Sequence, residues 1–165
     1  MRILRSGLLA TLALVTLVAA APTATTDDVL GWWLTEDGKA AVEITTCENG
    51  LCGRIAWLQE PALDGASKVD AKNPSRNLRQ RELAGLMVLT GFDGTPDNKG
   101  RFKGGQVYDP RNGKTYYRCT LKLDDKGRIK LSGFGDLVRN GRTVRARFSR
   151  TVEWTRASQE ALASR

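Results

Sequence analysis

Three cysteines and no histidine narrow the chemistry open to this chain before any fold is considered. Without imidazole there is no Ser-His-Asp or Cys-His pair, no histidine-ligated zinc and no imidazole proton shuttle. Cys47 and Cys52 flank Asn49-Gly50 with four residues between them. That is not the two-residue spacing of a redox-active pair, and no further ligand cluster accompanies it. Cys119 shares its alternation with Tyr117, Leu121 and Leu123, so it is expected as a buried free thiol with no base to activate it. The stretch Asp93 to Gly100 lacks the alternating carboxylates and terminal Glu of a calcium loop. Asp124-Asp125 belongs to a tight turn, and Gly104-Gly105 is followed by no helix that would make it a phosphate loop. The expectation is a non-enzymatic chain with no catalytic residue, no metal and no cofactor.

Binding chemistry is better represented. Trp57, Tyr108, Tyr117 and Arg150 are the candidate ligand-binding residues of an enclosed apolar site. In the last strand Val144, Ala146, Phe148, Val152 and Trp154 share one parity, and Arg150 and Arg156 fall on the same side. An inward arginine needs a carboxylate or a ligand anion, because an unpaired buried charge is very costly. A bulge near Ser149 would instead turn Arg150 outward. A second constellation, Asp70, Asn73, Arg79 and Arg81, lies in the long polar connection over residues 59–85. It reads either as hydrogen bonds ordering a loop across a barrel mouth or as a clamp for an anionic group, with Asp70 orienting the two arginines.

The elements that must position these residues are short strands. Residues 1–20 carry Arg2 and Arg5, an apolar run and Ala19-Ala20-Ala21, the pattern of a signal peptide cleaved after Ala20. A linker over 21–29 precedes a single domain over 30–156, and 157–165 is a tail. Strands are expected at Gly31–Thr35, Lys39–Cys47, Leu51–Leu58, Leu86–Phe92, Arg101–Tyr108, Thr115–Leu123, Arg128–Phe134 and Arg142–Arg156, with a helical turn over Leu78–Leu83. Taking Asn49-Gly50 as the two turn residues sets Cys47 opposite Cys52, Val42 opposite Trp57 and Ile44 opposite Ile55. A disulfide between Cys47 and Cys52 is then within reach and forms in an oxidising compartment. Eight strands with short antiparallel connections favour an all-β up-and-down barrel over an open sandwich, since closure removes the exposed edges.

Charge adds a partner class. Residues 21–100 carry 8 basic and 12 acidic side chains, whereas residues 101–165 carry 16 and 6. Two functions follow as alternatives: an exported binder of a small, partly apolar or anionic ligand, or an envelope interaction module whose barrel is filled by its own side chains and whose basic half docks on an anionic component such as lipid headgroups or lipopolysaccharide phosphates. Export to the periplasm or the extracellular space argues against nucleic acid, and the mature chain has no apolar run long enough to span a bilayer.

Several blocks resemble the bacterial secreted family known as domain of unknown function 2147. They are Gly31 to Ile44, Cys47 to Ile55, Asp70 to Pro74, Arg79 to Leu86, Gly104 to Pro110, Gly113 to Tyr116 and Trp154 to Arg156. The resemblance implies an exported, lipocalin-like barrel with no established activity. Gly31-Trp32-Trp33 is similar to the Gly-x-Trp signature that opens lipocalin barrels. That likeness implies that Trp33 packs beneath a late arginine as a structural plug, with Arg156 the first candidate and Arg150 the second. The stretch Arg139 to Arg150 departs from the family pattern by being longer and more basic.

Overall fold

The computed structural model describes residues 24–165 apart from 49, 140 and 141, and of 134–139 and 142–150 only the backbone. The expected signal peptide lies outside the described residues. Eight strands form a closed antiparallel barrel: β1 Gly31–Leu34, β2 Ala40–Cys47, β3 Gly50–Leu58, β6 Met87–Phe92, β7 Arg101–Asp109, β8 Lys114–Leu123, β9 Arg128–Arg139 and β10 Arg142–Ala157. A small hairpin of β4 Ala62–Leu63 and β5 Ala66–Ser67 interrupts the long connection between β3 and β6. Each barrel strand pairs with its neighbour in sequence, and β10 returns to β1. All eight expected strands are present, the seventh running five residues further, to Arg139. The helical turn lies earlier than expected, as a 3-10 turn at Arg76–Leu78. The tail holds a short helix, α1 Gln159–Ala163, capped by the Ser158 hydroxyl and burying Leu162.

Closure is narrow. β1 pairs with β10 only through Trp32–Ala157, Trp33–Arg156 and Leu34–Thr155. At this end Trp33 is fully buried and its indole Nε1 donates to the Val29 carbonyl at 2.9 Å. Val29 belongs to a 3-10 turn, Asp27–Val29, that brings part of the segment read as linker under the barrel. Arg156 stacks over the indole with Cζ 4.2 Å from the ring centre. Its Nη1 donates to Leu30 O at 3.0 Å and its Nη2 to Asp28 O. The guanidinium therefore lies across the end of the barrel with one face in solvent, rather than inside it as strand parity alone implies.

Above this plug the interior is solid. Phe92, Phe102, Ile44, Leu51, Leu89, Leu121 and Ile129 are all fully buried. Glycine makes room for them: a Cβ on Gly105 would sit 2.2 Å from the Phe92 ring, and one on Gly53 would sit 2.8 Å from Leu89.

Three irregularities separate the observed faces from those expected by simple alternation. The β2–β3 hairpin pairs Cys47 with Gly50, Ile44 with Gly53 and Val42 with Ile55, so Gly50 belongs to the strand rather than to the turn. Gly50 takes the first strand position at φ +116°, where a Cβ would collide with the Phe92 carbonyl. Cys47 and Cys52 are diagonal, not opposite, yet remain bonded with Cα atoms 6.0 Å apart. The shift also sets Glu43 directly opposite Arg54, whose guanidinium donates to Glu43 Oε2 at 2.8 and 2.9 Å. Further along, an extra residue at Ala56 pairs Ala41 with Trp57. In β8, Arg118 takes φ +52° and the register against β9 shifts between Tyr117 and Thr120. A bulge reverses which side chains face inward beyond it.

Replacing Arg156 by Ala should cost about 2 kcal/mol, the stacking plus two hydrogen bonds to carbonyls, and lower the melting temperature by roughly 4–8 °C. Arg156→Lys should recover less than half of that, because an ammonium cannot span both carbonyls while covering the ring. Thermal denaturation of the three proteins checks both statements.

Candidate functional site

The upper half of the barrel encloses a cavity of about 280 Å³. Its walls are Val42, Ile55, Leu58, Val88, Val107, Tyr116, Leu131, Val152 and Trp154, with Cys119 and Gly133 beside one another. Gly133 is small for a reason: a Cβ there would meet the Cys119 sulfur at 2.4 Å. Among the described residues, no buried side-chain nitrogen or oxygen lacks a hydrogen-bond partner, so the interior offers apolar surface and no unmet polar demand.

The bulges decide which aromatic residues reach this space. Trp57 and Tyr117, both expected in the ligand site, are not among its lining residues. The bulge at Ala56 turns Trp57 away and gives the inward place to Leu58. The bulge at Arg118 exposes Tyr117 and gives the inward place to Tyr116. Tyr108 does line the cavity. The side chain of Arg150 lies outside the described residues. Trp154 was read as inward-facing but not as a ligand contact, and strand parity was the signal for it. Tyr116 had no such signal, because nothing in residue type marks the bulge beside it.

The mouth lies at the end bounded by the β1–β2 turn, the β3–β6 connection and the β7–β8 turn. Arg111 joins two of these. Its Nε and Nη2 donate to Asp109 at 2.9 and 3.0 Å, and its Nη1 donates to Asp37 Oδ2 at 3.0 Å. The two turns stand on opposite sides of the strand order, so the guanidinium bridges across the mouth. Lys68 and Glu60, paired at 3.0 Å, also border it.

Residues 59–86 form a strap over the mouth, and one carboxylate orders it. Asp70 is fully buried. Its Oδ1 accepts from the Tyr108 hydroxyl at 2.6 Å. Its Oδ2 accepts from Asn73 Nδ2 at 2.8 Å and Arg81 Nε at 3.0 Å, with Arg81 Nη2 at 2.9 Å. Arg81 also lies over the Tyr108 ring, 5.5 Å from its centre. Arg79 Nε donates to the Asn73 carbonyl at 2.7 Å. All four residues singled out in the strap are thus brought together, and Tyr108, assigned to the ligand site, is also their partner. The arrangement matches the ordering alternative: Arg81 faces Asp70, and Arg79 is engaged with backbone. Burial, then the bond to Asp70, push the Tyr108 hydroxyl above its ordinary range, which keeps it a donor.

Carboxylates elsewhere serve turns. Asp124 Oδ1 accepts from the backbone of Lys126 and Arg128 at 3.0 and 2.9 Å, and its Oδ2 accepts from the Arg128 guanidinium. The Arg128 amide, then its guanidinium, hold Asp124 down at about 2. Asp97 makes the same pattern with Lys99 and Arg101. Neither is poised as an acid or base, and the described residues contain no group of three or more Cys, Asp or Glu able to hold a metal.

Arg81→Ala should destabilise the fold by about 2 kcal/mol, since it removes the cation from a buried carboxylate that keeps only Tyr108 and Asn73 as side-chain donors, whereas Arg79→Ala should cost under about 1 kcal/mol; urea unfolding measures both. Cys119 supplies a pH test. Burial pushes its thiol up to about 11, so at pH 8 it should resist dithionitrobenzoate in the folded protein and react once per chain in guanidinium. A thiol pKa raised by folding stabilises below its unfolded value. That contribution should therefore disappear as pH rises from about 9 through 11, and Cys119→Ser should flatten that part of the stability curve.

Comparison with known proteins places this geometry. No curated protein matches the chain. Among solved structures it is similar to "Protein HP1028 from the human pathogen Helicobacter pylori belongs to the lipocalin family". The two chains are 23% identical with a TM-score of 0.59, over 82% of this chain and 87% of that one. The fold is therefore lipocalin-like. The family described as "Uncharacterized protein conserved in bacteria (DUF2147)" matches residues 31–156, from the glycine before the buried tryptophan to the arginine stacked on it, and the chain belongs to that family.

Proposed function

We propose that this protein binds one small, largely apolar molecule in the upper half of its barrel, outside the cytoplasm, and does not transform it. The observation that carries the reading is the cavity of about 280 Å³ whose walls are apolar and whose neighbours have no unmet hydrogen bonds. Its volume stands just under the usual range for drug-sized ligands, about 300–1,000 Å³, so the ligand is small. Apolar volume selects its buried part. Any polar end belongs at the mouth, beside Lys39, Lys68 and Arg111. Binding without catalysis is supported by the absence of histidine, by a Cys119 thiol that stays protonated and by a Tyr108 hydroxyl tied to Asp70. Export is supported by the signal-like start of the chain and by the Cys47–Cys52 disulfide, a bond at home in oxidising compartments.

Straight-chain alkanols test the reading through the emission of Trp154, with Trp154→Phe as the control. Affinity should rise about fourfold per added CH₂, following the transfer energy of a methylene, and level off once the cavity is full. Val107→Trp, which fills the cavity from its wall, should weaken binding at least tenfold. An affinity indifferent to both chain length and this substitution would sink the proposal.

A further inference from the structure

The β9–β10 hairpin outruns the barrel. β8 pairs with β9 no further than Tyr116–Gly135, and β1 pairs with β10 no further than Leu34–Thr155. Beyond these limits Asp136–Arg139 and Arg142–Arg145 pair only with each other among the described residues. A register irregularity between Arg145 and Ser149 sets this ribbon off from the wall. The sequence places five arginines on it and at its base, Arg139, Arg142, Arg145, Arg147 and Arg150, against one acidic residue, Asp136, which pairs with Arg145 in the ladder. Two-stranded ribbons are marginal alone in water, and a concentration of like charge on one calls for an anionic partner.

Across the mouth stands a second feature. In the closed strand order the β3–β6 strap lies opposite the β9–β10 hairpin. The strap carries two of the four large apolar side chains exposed among the described residues: Leu63 at 65% and Leu78 at 38%. Leu63 precedes the tight Asp64-Gly65 turn of the β4–β5 hairpin, where a Cβ on Gly65 would meet nothing within 4 Å. Leu78 sits in the 3-10 turn between Arg76 and Arg79. Exposed apolar tips, one of them between two arginines, at the same end of the barrel as an arginine-rich ribbon, suit a surface that is anionic outside and apolar beneath.

We propose that the mouth end of the barrel docks on an anionic lipid bilayer. The β9–β10 ribbon supplies the charge and the Leu63 and Leu78 tips enter the headgroup layer. Docking would bring the cavity entrance against the phase in which a small apolar molecule concentrates. That consequence rests on the ligand reading above; the docking itself does not.

Co-sedimentation of the mature chain with vesicles separates the outcomes. Binding to phosphatidylcholine vesicles containing 30% phosphatidylglycerol should exceed binding to pure phosphatidylcholine at least tenfold, and should fall at least tenfold in 0.5 M NaCl. Arg142→Gln/Arg145→Gln/Arg147→Gln should lower binding at least tenfold, each cation near an anionic surface being worth about fivefold. Leu63→Asp should lower it severalfold. Melting curves confirm that each variant is folded. Equal binding to neutral vesicles, or undiminished binding by the triple variant, would overturn the proposal. So would binding to soluble polyphosphate without binding to vesicles. Val107→Trp distinguishes the two readings: it should lose alkanol binding and keep vesicle binding.

Discussion

Everything in this molecule depends on closing eight strands through a seam only three residue pairs long. The seam is short because β1 has four residues, too few to zip along a sixteen-residue β10. The stack of Arg156 on Trp33 makes up for that brevity. It ties the last strand to the first and to the 3-10 turn before it, so the hydrogen-bond ladder that would otherwise leave two edges becomes a ring. A ring has an inside, and the enclosed space follows from the closure.

How that inside is divided follows from side-chain size. Large apolar residues crowd the half near the plug, admitted by glycines on neighbouring strands. Toward the other end the wall is mostly valine, leucine and isoleucine, which cannot meet across the barrel. The strap and the Arg111 bridge cover what is left, and the strap owes its course to one buried carboxylate with partners on both oxygens. The site is thus assembled from a short seam, a filled floor and a roof held by the buried Asp70 and the Arg111 bridge.

Strand number, order and the disulfide were legible because turn residues punctuate them and because alternation marks their apolar faces. The pairing of Trp33 with Arg156 entered through the Gly-x-Trp signature. Individual ligand-facing residues were less legible. Trp57 and Tyr117 have the right chemistry and the right parity, yet one extra residue at Ala56 and one left-handed residue at Arg118 turn them out of the cavity. Such bulges leave no trace in two-residue periodicity. The Asp70 group was visible as a polar constellation. Its partner Tyr108, 38 positions away, could be assigned only once the strap was seen crossing β7.

The Phe92 side chain, lying where Gly105 leaves space for it, is part of the filled half of the barrel. The residue ends β6 at the side of the barrel away from the strap, so the filling of the interior and the surface presented at the mouth are written in separate residues. Related chains could exchange this aromatic residue for a smaller one and enlarge the interior while keeping the same mouth. They could equally alter the mouth and keep the same interior. Interior volume and mouth chemistry are independently variable in this architecture.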